Sequence, residues 1–379
     1  EGEAGDAAAA ARQMLLRCSE DDIAMRPIAG PERAALQRAV RRAHERNASR
    51  EPWVLTSSSH ERCLVDNFVV QLAANVEEAP AVVLAALDRE MLRACGSLSE
   101  YWEGHLSLLC VDLSGSFAPG GGRPRAALDT CLFSALTWTK VLVLQAAVEA
   151  VPSGVLVVDS DVVFLRDFGA WLRARRAEEE AAGAGGPTVW VGFNPDFKEA
   201  SINVNTGILF AAGDSAPVLE AWLRQRGRWR NEFRRIVETG HERDGFYGDA
   251  EGLMELLKVS SGTFRLQRIP RGVVEMCNPH SVPEGVYAVH YTCTSRASEA
   301  LRWLPKAEAM LAHGLYSPLV EDCAVARAVC GAAGPGGGGL LPRAASSGHL
   351  ALLRRLVELR AGVAGGAGAP GPGGGEGAG

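Results

Sequence analysis

Three features are missing from this sequence, and each absence excludes a class of protein. No apolar run reaches the roughly 18 residues that a membrane span needs, because residues 141–158, the most apolar region, are interrupted by Gln145, Glu149, Pro152 and Gly154. Positive charge is not in excess: the formal net charge is −6 and the pI is about 5.8, so we expect no nucleic-acid partner. The nine cysteines include no Cys-x-x-Cys pair, which argues against a structural zinc site or thioredoxin-like chemistry.

The chain termini and cysteines give a first indication of compartment. The sequence begins at Glu1 rather than at methionine, so we expect membrane contact only through an N-terminal anchor that this chain does not include. An odd number of cysteines leaves at least one thiol outside any intramolecular disulfide. The tripeptide Asn47-Ala48-Ser49 matches the N-glycosylation sequon and favours a secretory-pathway lumen.

Short apolar runs alternate with helical patterns over most of the chain. With 379 residues and 47% apolar residues, the chain can bury a large core in one large α/β domain or two smaller ones. The apolar runs lie at 53–56, 81–87, 107–113, 155–158, 188–193, 206–210 and 286–290. This alternation predicts an α/β fold with a mostly parallel central sheet flanked by helices on both faces.

Composition also suggests where the domain begins and ends. Residues 1–50 read as a helical lead-in, 51–325 as the α/β domain, and 326–379 as a glycine-rich tail that we expect to be largely disordered. Within the tail, 340–362 resembles the body of an ankyrin repeat, but a lone amphipathic helix explains this segment more simply. Residues 114–125 and 174–187 read as surface loops or insertions.

The segment VLVVDSDVVFLRD, residues 155–167, places two carboxylates at the end of an apolar strand. Residues two apart on an extended strand share a face, so Asp159 and Asp161 can converge, and two like charges then need a cation between them. Carboxylate oxygens suit Mg²⁺ or Mn²⁺, and open α/β sheets bind ligands beyond the carboxyl ends of their strands. The simpler alternative is that both are turn residues, with Asp167 capping the next helix.

Several segments in a fixed order resemble the nucleotide-diphospho-sugar transferases of glycosyltransferase family 77, a plant and green-algal family with the GT-A fold. The similarity covers about residues 34–316. It rests on WVLTSSS, LVDNFVVQL, VVLAALDREMLRACG, LTWTKVLVLQAAVEAVPSGVLVVDSDVVFLRD, NVNTGILFAAGDSAPVLEAWL, GDAEGLMELL and VYAVHYTCTSRASEALRWLPKAEAMLAHGLY. The order of these segments, rather than any single one, carries the resemblance.

The resemblance implies roles for the residues at the predicted strand ends. Asp159 and Asp161, with Ser160 between them, would hold the metal and contact the nucleotide-sugar, and His290 would be a late ligand or contact the diphosphate. The alternative for His290 is an ordinary histidine at a strand end. Thr56 and Ser57 would lie near the nucleoside, although ordinary loop polarity also explains them.

Further candidates lie in later segments. Asn205 and Gly207 fit a place where the backbone approaches the donor sugar and an amide can bind its hydroxyls, but the glycine is equally compatible with a strand or bulge. Asp249 matches a family position that often precedes glutamine; here Ala250 follows, so Asp249 can equally be a helix N-cap. Lys140 could reach a phosphate, but a lysine in a helix is more simply explained as a residue of the solvent-exposed face.

The resemblance therefore implies a metal-dependent glycosyltransferase in the Golgi lumen, acting in cell-wall or glycoprotein synthesis. It would use Mn²⁺ or Mg²⁺ to move a sugar from a nucleotide-diphosphate donor, a UDP-sugar, to a glycan or glycoprotein with retention. Two alternatives stay open. One is a phosphohydrolase of the haloacid-dehalogenase type with Asp159 as nucleophile, although some 150 residues precede the Asp-x-Asp strand here. The other is a degenerate domain that binds a sugar-nucleotide or a partner.

Overall fold

The computed structural model describes residues 27–117, 131–183, 186–193, 204–226, 248–259, 264–276, 281–292 and 303–316. The predicted C-terminal tail with its ankyrin-like segment, and most of the predicted helical lead-in, lie outside these ranges. Within them, no helix is both long and apolar enough to cross a membrane. The predicted domain boundaries at 50/51 and 325/326 stay predictions.

Helices and strands alternate along the first half of the chain. In order they are α1 (Gly30–Arg46), β1 (Trp53–Ser57), α2 (Arg62–Asn75), β2 (Val82–Ala86), α3 (Arg89–Tyr101), β3 (Leu108–Asp112), the short α4 (Ser114–Phe117), α5 (Cys131–Ala150) and β4 (Val155–Val158). A 3₁₀ turn, Ser59–Glu61, joins β1 to α2. This is the βα alternation that the apolar runs predict.

The second half is less regular. It contains β5 (Val162–Phe164), α6 (Phe168–Ala181), β6 (Thr188–Phe193), β7 (Val204–Ala211), α7 (Asp249–Val259), β8 (Arg265–Arg268), β9 (Val274–Met276), β10 (Ala288–His290) and α8 (Trp303–Ala312). Residues 216–226 are also helical. The prediction of a loop over 174–187 is wrong as far as residue 181, because the charged run there continues the last turns of α6.

The central sheet has seven strands in the order β3-β2-β1-β4-β7-β6-β8. β3, β2, β1 and β4 are parallel, β7 is antiparallel to both of its neighbours, and β6 and β8 are parallel to each other. The predicted mostly parallel α/β sheet is confirmed. The carboxyl ends of the four parallel strands therefore meet at one edge of the sheet, which is where open α/β sheets bind ligands.

A second, three-stranded sheet has the order β5-β10-β9. The apolar run at 286–290 forms its middle strand, β10, rather than a strand of the central sheet. Three residues separate the last residue of β4 from the first residue of β5, so one tight turn connects the two sheets. That turn consists of Asp159, Ser160 and Asp161.

Burial explains why these segments fold as they do. All four residues of β4 are fully buried, as are all five of β2, which fits the continuous apolar runs expected for parallel strands covered on both faces. Asp88 lies two residues beyond the end of β2 and caps α3, where its Oδ1 accepts from Met91 N at 2.7 Å. Asp167 caps α6 in the same way, through Ala170 N at 2.9 Å. A disulfide joins Cys95 on α3 to Cys110 on β3.

Candidate functional site

The Asp159-Ser160-Asp161 segment forms a turn between the two sheets. Asp159 N donates to Gly207 O at 2.8 Å, which continues the pairing of β4 with β7, and Val162 N donates back to Asp159 O at 3.3 Å. The chain is therefore not extended over residues 159–161, which was the condition for strand periodicity to place both carboxylates on one face. The change of sheet, and not strand periodicity, brings the two carboxylates together.

His290 joins the two aspartates through the register of the second sheet. In the β5–β10 pairing His290 lies opposite Val162, next to Asp161, and Tyr291 N donates to Asp161 O at 3.0 Å. His290 Nε2 is 3.1 Å from Asp161 Oδ1 and 3.9 Å from Asp159 Oδ2. One ligand atom from each of the three residues lies within 4.8 Å of the others. Asp161 and His290, 129 positions apart in sequence, thus belong to one cluster with Asp159.

Gly207 makes room for the His290 ring. A Cβ added at residue 207 would overlap that ring, so glycine is required here for packing. Asn205 Oδ1 accepts from Gly207 N at 2.8 Å, so the Asn205 side chain fixes the backbone of β7 at this point. The predicted role of Asn205 and Gly207 in binding a sugar is not tested by this arrangement.

Lys140 is buried on the Asp159 side of the turn and does not lie on a solvated face, so that simpler explanation is wrong. Its Nζ is 3.0 Å from Asp159 Oδ1 and 3.7 Å from Asp249 Oδ2, and it also donates to Thr206 O and Oγ1, both at 3.3 Å. Burial alone would lower the pKa of Lys140, but Asp159 and Asp249 outweigh burial and raise it. Lys140 is therefore a permanent cation between two carboxylates.

Asp249 begins α7 with its side chain buried. Trp222 Nε1 donates to its carbonyl oxygen at 2.8 Å, and Asp249 N donates to Thr137 Oγ1 at 3.3 Å. Burial raises the pKa of the Asp249 carboxyl, and the Lys140 ammonium opposes that rise. The carboxyl thus faces Lys140 within the site, so Asp249 is more than a helix cap.

Lys306 on α8 contacts Asp161 from the other side. Its ammonium pairs with Asp161 Oδ2, while Oδ1 is within hydrogen-bond distance of His290. Burial alone would raise the pKa of Asp161, but Lys306 and His290 outweigh it and hold this pKa well below its usual range. Asp161 is therefore ionised over the whole physiological pH range.

Glu61, at the end of the 3₁₀ turn after β1, is a third carboxyl group next to the turn. Its Oε2 accepts from Ser160 Oγ at 3.0 Å and from Ser57 Oγ at 3.4 Å, so Glu61 ties the Asp-Ser-Asp turn to the end of β1. Burial raises the pKa of Glu61, Lys306 opposes the rise, and Asp161 and Asp159 add to it.

The two candidates at the end of β1 differ in their contacts. Ser57 is buried and reaches the site through Glu61. Thr56 is half-buried, and no contact between its side chain and the Asp-Ser-Asp turn is recorded among the described residues. Their predicted place near a nucleoside stays a prediction.

Sequence reasoning missed Glu61 and Lys306 and misjudged Lys140, although two of the three had a signal. Lys140 is the one charged residue of α5 before Glu149, and a lone lysine in an apolar helix needs a buried partner. Glu61 lies four residues beyond β1, in the strand-end region where ligands of α/β sheets bind. The pairing of Lys306 with Asp161 had no signal, because 145 residues separate them.

The cluster of Asp159, Asp161 and His290 fits a divalent cation. It offers carboxylate oxygens and one imidazole nitrogen, all close enough for one ion to contact each residue. Four carboxyl groups, those of Asp159, Asp161, Asp249 and Glu61, lie near the two ammonium groups of Lys140 and Lys306, so carboxyl groups outnumber lysines here. His290 Nδ1 is buried and has no hydrogen-bond partner among the described residues.

Comparison with known proteins gives similarities of fold only. No family model matches the chain, and no curated protein is similar to it, so the resemblance to family 77 stays a prediction. Among solved structures, the chain is similar to mouse xyloside xylosyltransferase 1, with 10% identity and a TM-score of 0.42 over 64% of this chain and 98% of that one. It is also similar to the galactosyltransferase LgtC in complex with donor and acceptor sugar analogs, with 11% identity and a TM-score of 0.39 over 73% and 99%.

A third similar structure is the glycosyltransferase GlyE of Streptococcus pneumoniae. It shares 12% identity and a TM-score of 0.36 over 64% of this chain and 55% of that one, so the chain spans about half of its length. Similarities at this level carry no information about substrate or chemistry. The function is therefore inferred from the side chains of the site.

Proposed function

We propose that this chain is a metal-dependent glycosyltransferase that moves a sugar from a UDP-sugar to a glycan or glycoprotein. The observation that supports this most is the cluster of Asp159, Asp161 and His290 at the carboxyl end of β4, with ligand atoms within 4.8 Å of one another. Such a cluster at the ligand-binding edge of a mostly parallel sheet suits a cation shared with a diphosphate. The predicted membership of family 77 is part of this proposal.

Each side chain then has a distinct task. Asp159, Asp161 and His290 hold Mn²⁺ or Mg²⁺, which when bound neutralises charge that develops on the leaving diphosphate. Lys306 pairs with Asp161 beside the cluster, and in the proposal its ammonium binds a phosphate oxygen of the donor. Lys140 fixes the position of Asp159 relative to Asp249.

The donor is expected to lie across the Asp-Ser-Asp turn. Ser57 and Thr56 at the end of β1 are on one side of that turn, while Asn205, Gly207 and Asp249 are on the other. In the proposal the first pair lies near the nucleoside and the second group near the sugar. Retention of the anomeric configuration follows from attack on the same face, aided by the leaving phosphate, or from double displacement, for which Asp249 is a carboxylate at the proposed sugar side.

The Golgi lumen is the proposed location. The disulfide between Cys95 and Cys110 supports it, because disulfides persist in the secretory pathway and are rare in the reducing cytosol.

Calorimetric titration of the purified chain with UDP, with and without Mn²⁺, tests the proposal. We expect UDP to bind only when Mn²⁺ is present, and this binding to be lost in Asp161→Ala. The matched control is Asp214→Ala, which removes an exposed aspartate of the Gly213–Ser215 turn and should leave UDP binding unchanged.

Two further ligands separate the alternatives. Binding of a phosphoaspartate mimic or inorganic phosphate without affinity for UDP would favour the haloacid-dehalogenase reading, in which Asp159 is the nucleophile. Binding of Mn²⁺-UDP without any sugar transfer would favour the degenerate binding domain. If Asp161→Ala transfers sugar as well as the wild type, the metal role of Asp161 is wrong.

A further inference from the structure

The sequon Asn47-Ala48-Ser49 occupies the turn between α1 and β1. Asn47 is the C-cap residue directly after α1. Its N–H donates to His44 O at 3.1 Å, and its carbonyl oxygen accepts from Arg50 N at 3.0 Å. Residues 47–49 are turn residues, and both Ala48 and Ser49 are exposed. The sequon is therefore at the surface, where an enzyme can reach it.

The side chains of the sequon are oriented toward each other. Ser49 Oγ donates to Asn47 Oδ1 at 2.8 Å. Asn47 Nδ2, the atom that carries the sugar in an N-glycan, makes no hydrogen bond to another described residue. The turn thus holds the carboxamide oxygen of the half-buried Asn47 through the hydroxyl of the sequon.

Neighbouring residues hold this turn in place. Arg50, directly after the sequon, is paired with Asp167 at 2.8 Å and with Glu78 at 2.7 Å. These pairs attach the turn to the helix α6 and to the segment before β2. A sugar on Asn47 would project from a fixed point of the fold.

The turn lies at the end of the sheet opposite the candidate site. β1 begins with Trp53 just after the turn and runs parallel to β4, which ends one residue before Asp159. A strand of five residues spans about 17 Å, so the length of β1 separates Asn47 from the carboxylate cluster. A glycan there leaves the site open.

We propose that Asn47 is N-glycosylated in the lumen of the secretory pathway. An oligosaccharide carried on a lipid diphosphate is the co-reactant: a bond forms between Asn47 Nδ2 and the anomeric carbon, the bond from that carbon to the diphosphate breaks, and the amide loses one proton. The disulfide between Cys95 and Cys110 supports the same compartment independently of the sequon. This inference does not depend on the proposed transferase activity.

Expression of the full chain behind a cleavable signal peptide in a eukaryotic secretory host tests the proposal. We expect one shift in mass that peptide-N-glycosidase removes, and that is absent from Asn47→Gln and Ser49→Ala but retained in Ser49→Thr. The assay is unambiguous because the sequence contains no second Asn-x-Ser/Thr tripeptide. Mapping the Cys95–Cys110 disulfide by non-reducing digestion shows that the chain entered the oxidising lumen.

The disulfide and the glycan are measured separately, so a chain that did not enter the lumen can be told from one that entered it without being glycosylated. A chain with the Cys95–Cys110 disulfide but no glycosidase-sensitive shift overturns the proposal, as does a shift that persists in Asn47→Gln. Ser49→Thr guards against a loss that comes from misfolding, since it keeps the hydroxyl of the sequon. UDP affinity in the presence of Mn²⁺ should be within about twofold of wild type in Asn47→Gln, a difference below 0.5 kcal/mol.

Discussion

The two aspartates of the Asp159-Ser160-Asp161 turn are one residue apart, yet they belong to different surroundings. The Asp161 side chain is 5% exposed and is held by Lys306 from α8 and by His290 from the second sheet. The Asp159 side chain is 29% exposed and shares Lys140 with Asp249, on the side of the central sheet. The sequence gives no reason to expect this difference.

The two aspartates of this one turn are suited to different tasks. Asp161 has both oxygens engaged and is permanently ionised, so it is suited to anchoring a cation. Asp159 is partly exposed to solvent, and it shares the ammonium group of Lys140 with the buried carboxyl of Asp249. Substitutions around Asp161 and substitutions around Asp159 should therefore differ in their effects on stability and on ligand binding.

The largest expected effect comes from Lys140→Met. It leaves Asp159 and the buried Asp249 without their shared cation, and breaking a buried ion pair costs about 4 kcal/mol. Urea unfolding at pH 7 measures the loss. Since removal of the cation raises the pKa of Asp249 further, the deficit should shrink as the pH falls and Asp249 is protonated.

Lys258→Met is the matched control for Lys140→Met. Lys258 is 64% exposed and, among the described residues, is paired only with Glu255 in the same helix, so its replacement should change stability by less than about 0.5 kcal/mol. Equal losses in both variants would mean that Lys140 is not an internal counterion.

Asparagine substitutions compare the two aspartates directly. Asp161→Asn removes the buried partner of Lys306 and should cost roughly 3 kcal/mol of unfolding free energy at pH 7, whereas Asp159→Asn should cost about 1 kcal/mol because Asp159 is partly solvated. The low pKa of Asp161 means that its contribution is present above about pH 3.9 and is lost as the pH falls further. If Asp159→Asn lowered the free energy of unfolding more than Asp161→Asn does, Asp161 would not be the more strongly held of the two aspartates.

Gly207→Ala tests the packing that the two sides share. The added Cβ would overlap the His290 ring, so we expect a loss of about 2 kcal/mol, and weaker Mn²⁺-dependent UDP binding as the ring is displaced. Gly96→Ala in α3 is the control, because a Cβ there meets no atom within 4 Å, and it should stabilise the helix by roughly 0.5 kcal/mol. An unchanged Mn²⁺-UDP affinity in Gly207→Ala would contradict a role for His290 as a ligand.

The smallest effect is expected at Glu61, which touches the turn between the two aspartates. Its raised pKa means that wild-type stability falls as the pH rises from about 4.3 toward the folded-state pKa of Glu61. Glu61→Gln cannot ionise, so the variant should match wild type near pH 4 and be slightly more stable near pH 8. Chemical unfolding at the two pH values measures this, and parallel pH profiles would show that Glu61 is not desolvated.

The strands of the central sheet were largely predictable. Continuous apolar runs correctly predicted β1 to β4, β6 and β7, because strands covered by helices are composed mainly of apolar residues. β8, with the sequence RLQR, was missed, since it lies at the edge of the described sheet and is only partly buried. Apolar periodicity cannot identify such a strand.

The residues of the candidate site also divide into those that the sequence predicted and those that it did not. Asp159 and Asp161 were predicted because two carboxylates follow an apolar strand, and His290 was proposed from the resemblance to family 77; the structure brings the three together. Lys140 was judged a surface residue because a helical pattern does not say which of its faces is covered. Lys306 and Glu61 were missed because only the folded chain places them beside the turn.

The sequence by itself determined the α/β alternation and placed an Asp-x-Asp pair at the end of a buried strand, because apolar periodicity and strand termini are local properties. The tertiary structure decided that β5 leaves the central sheet, and with it that Asp161 meets His290 and Lys306 while Asp159 meets Lys140 and Asp249. The physical reason is that each buried charge requires a partner, and the partners here lie 19 to 145 residues away in sequence, beyond the reach of any local pattern.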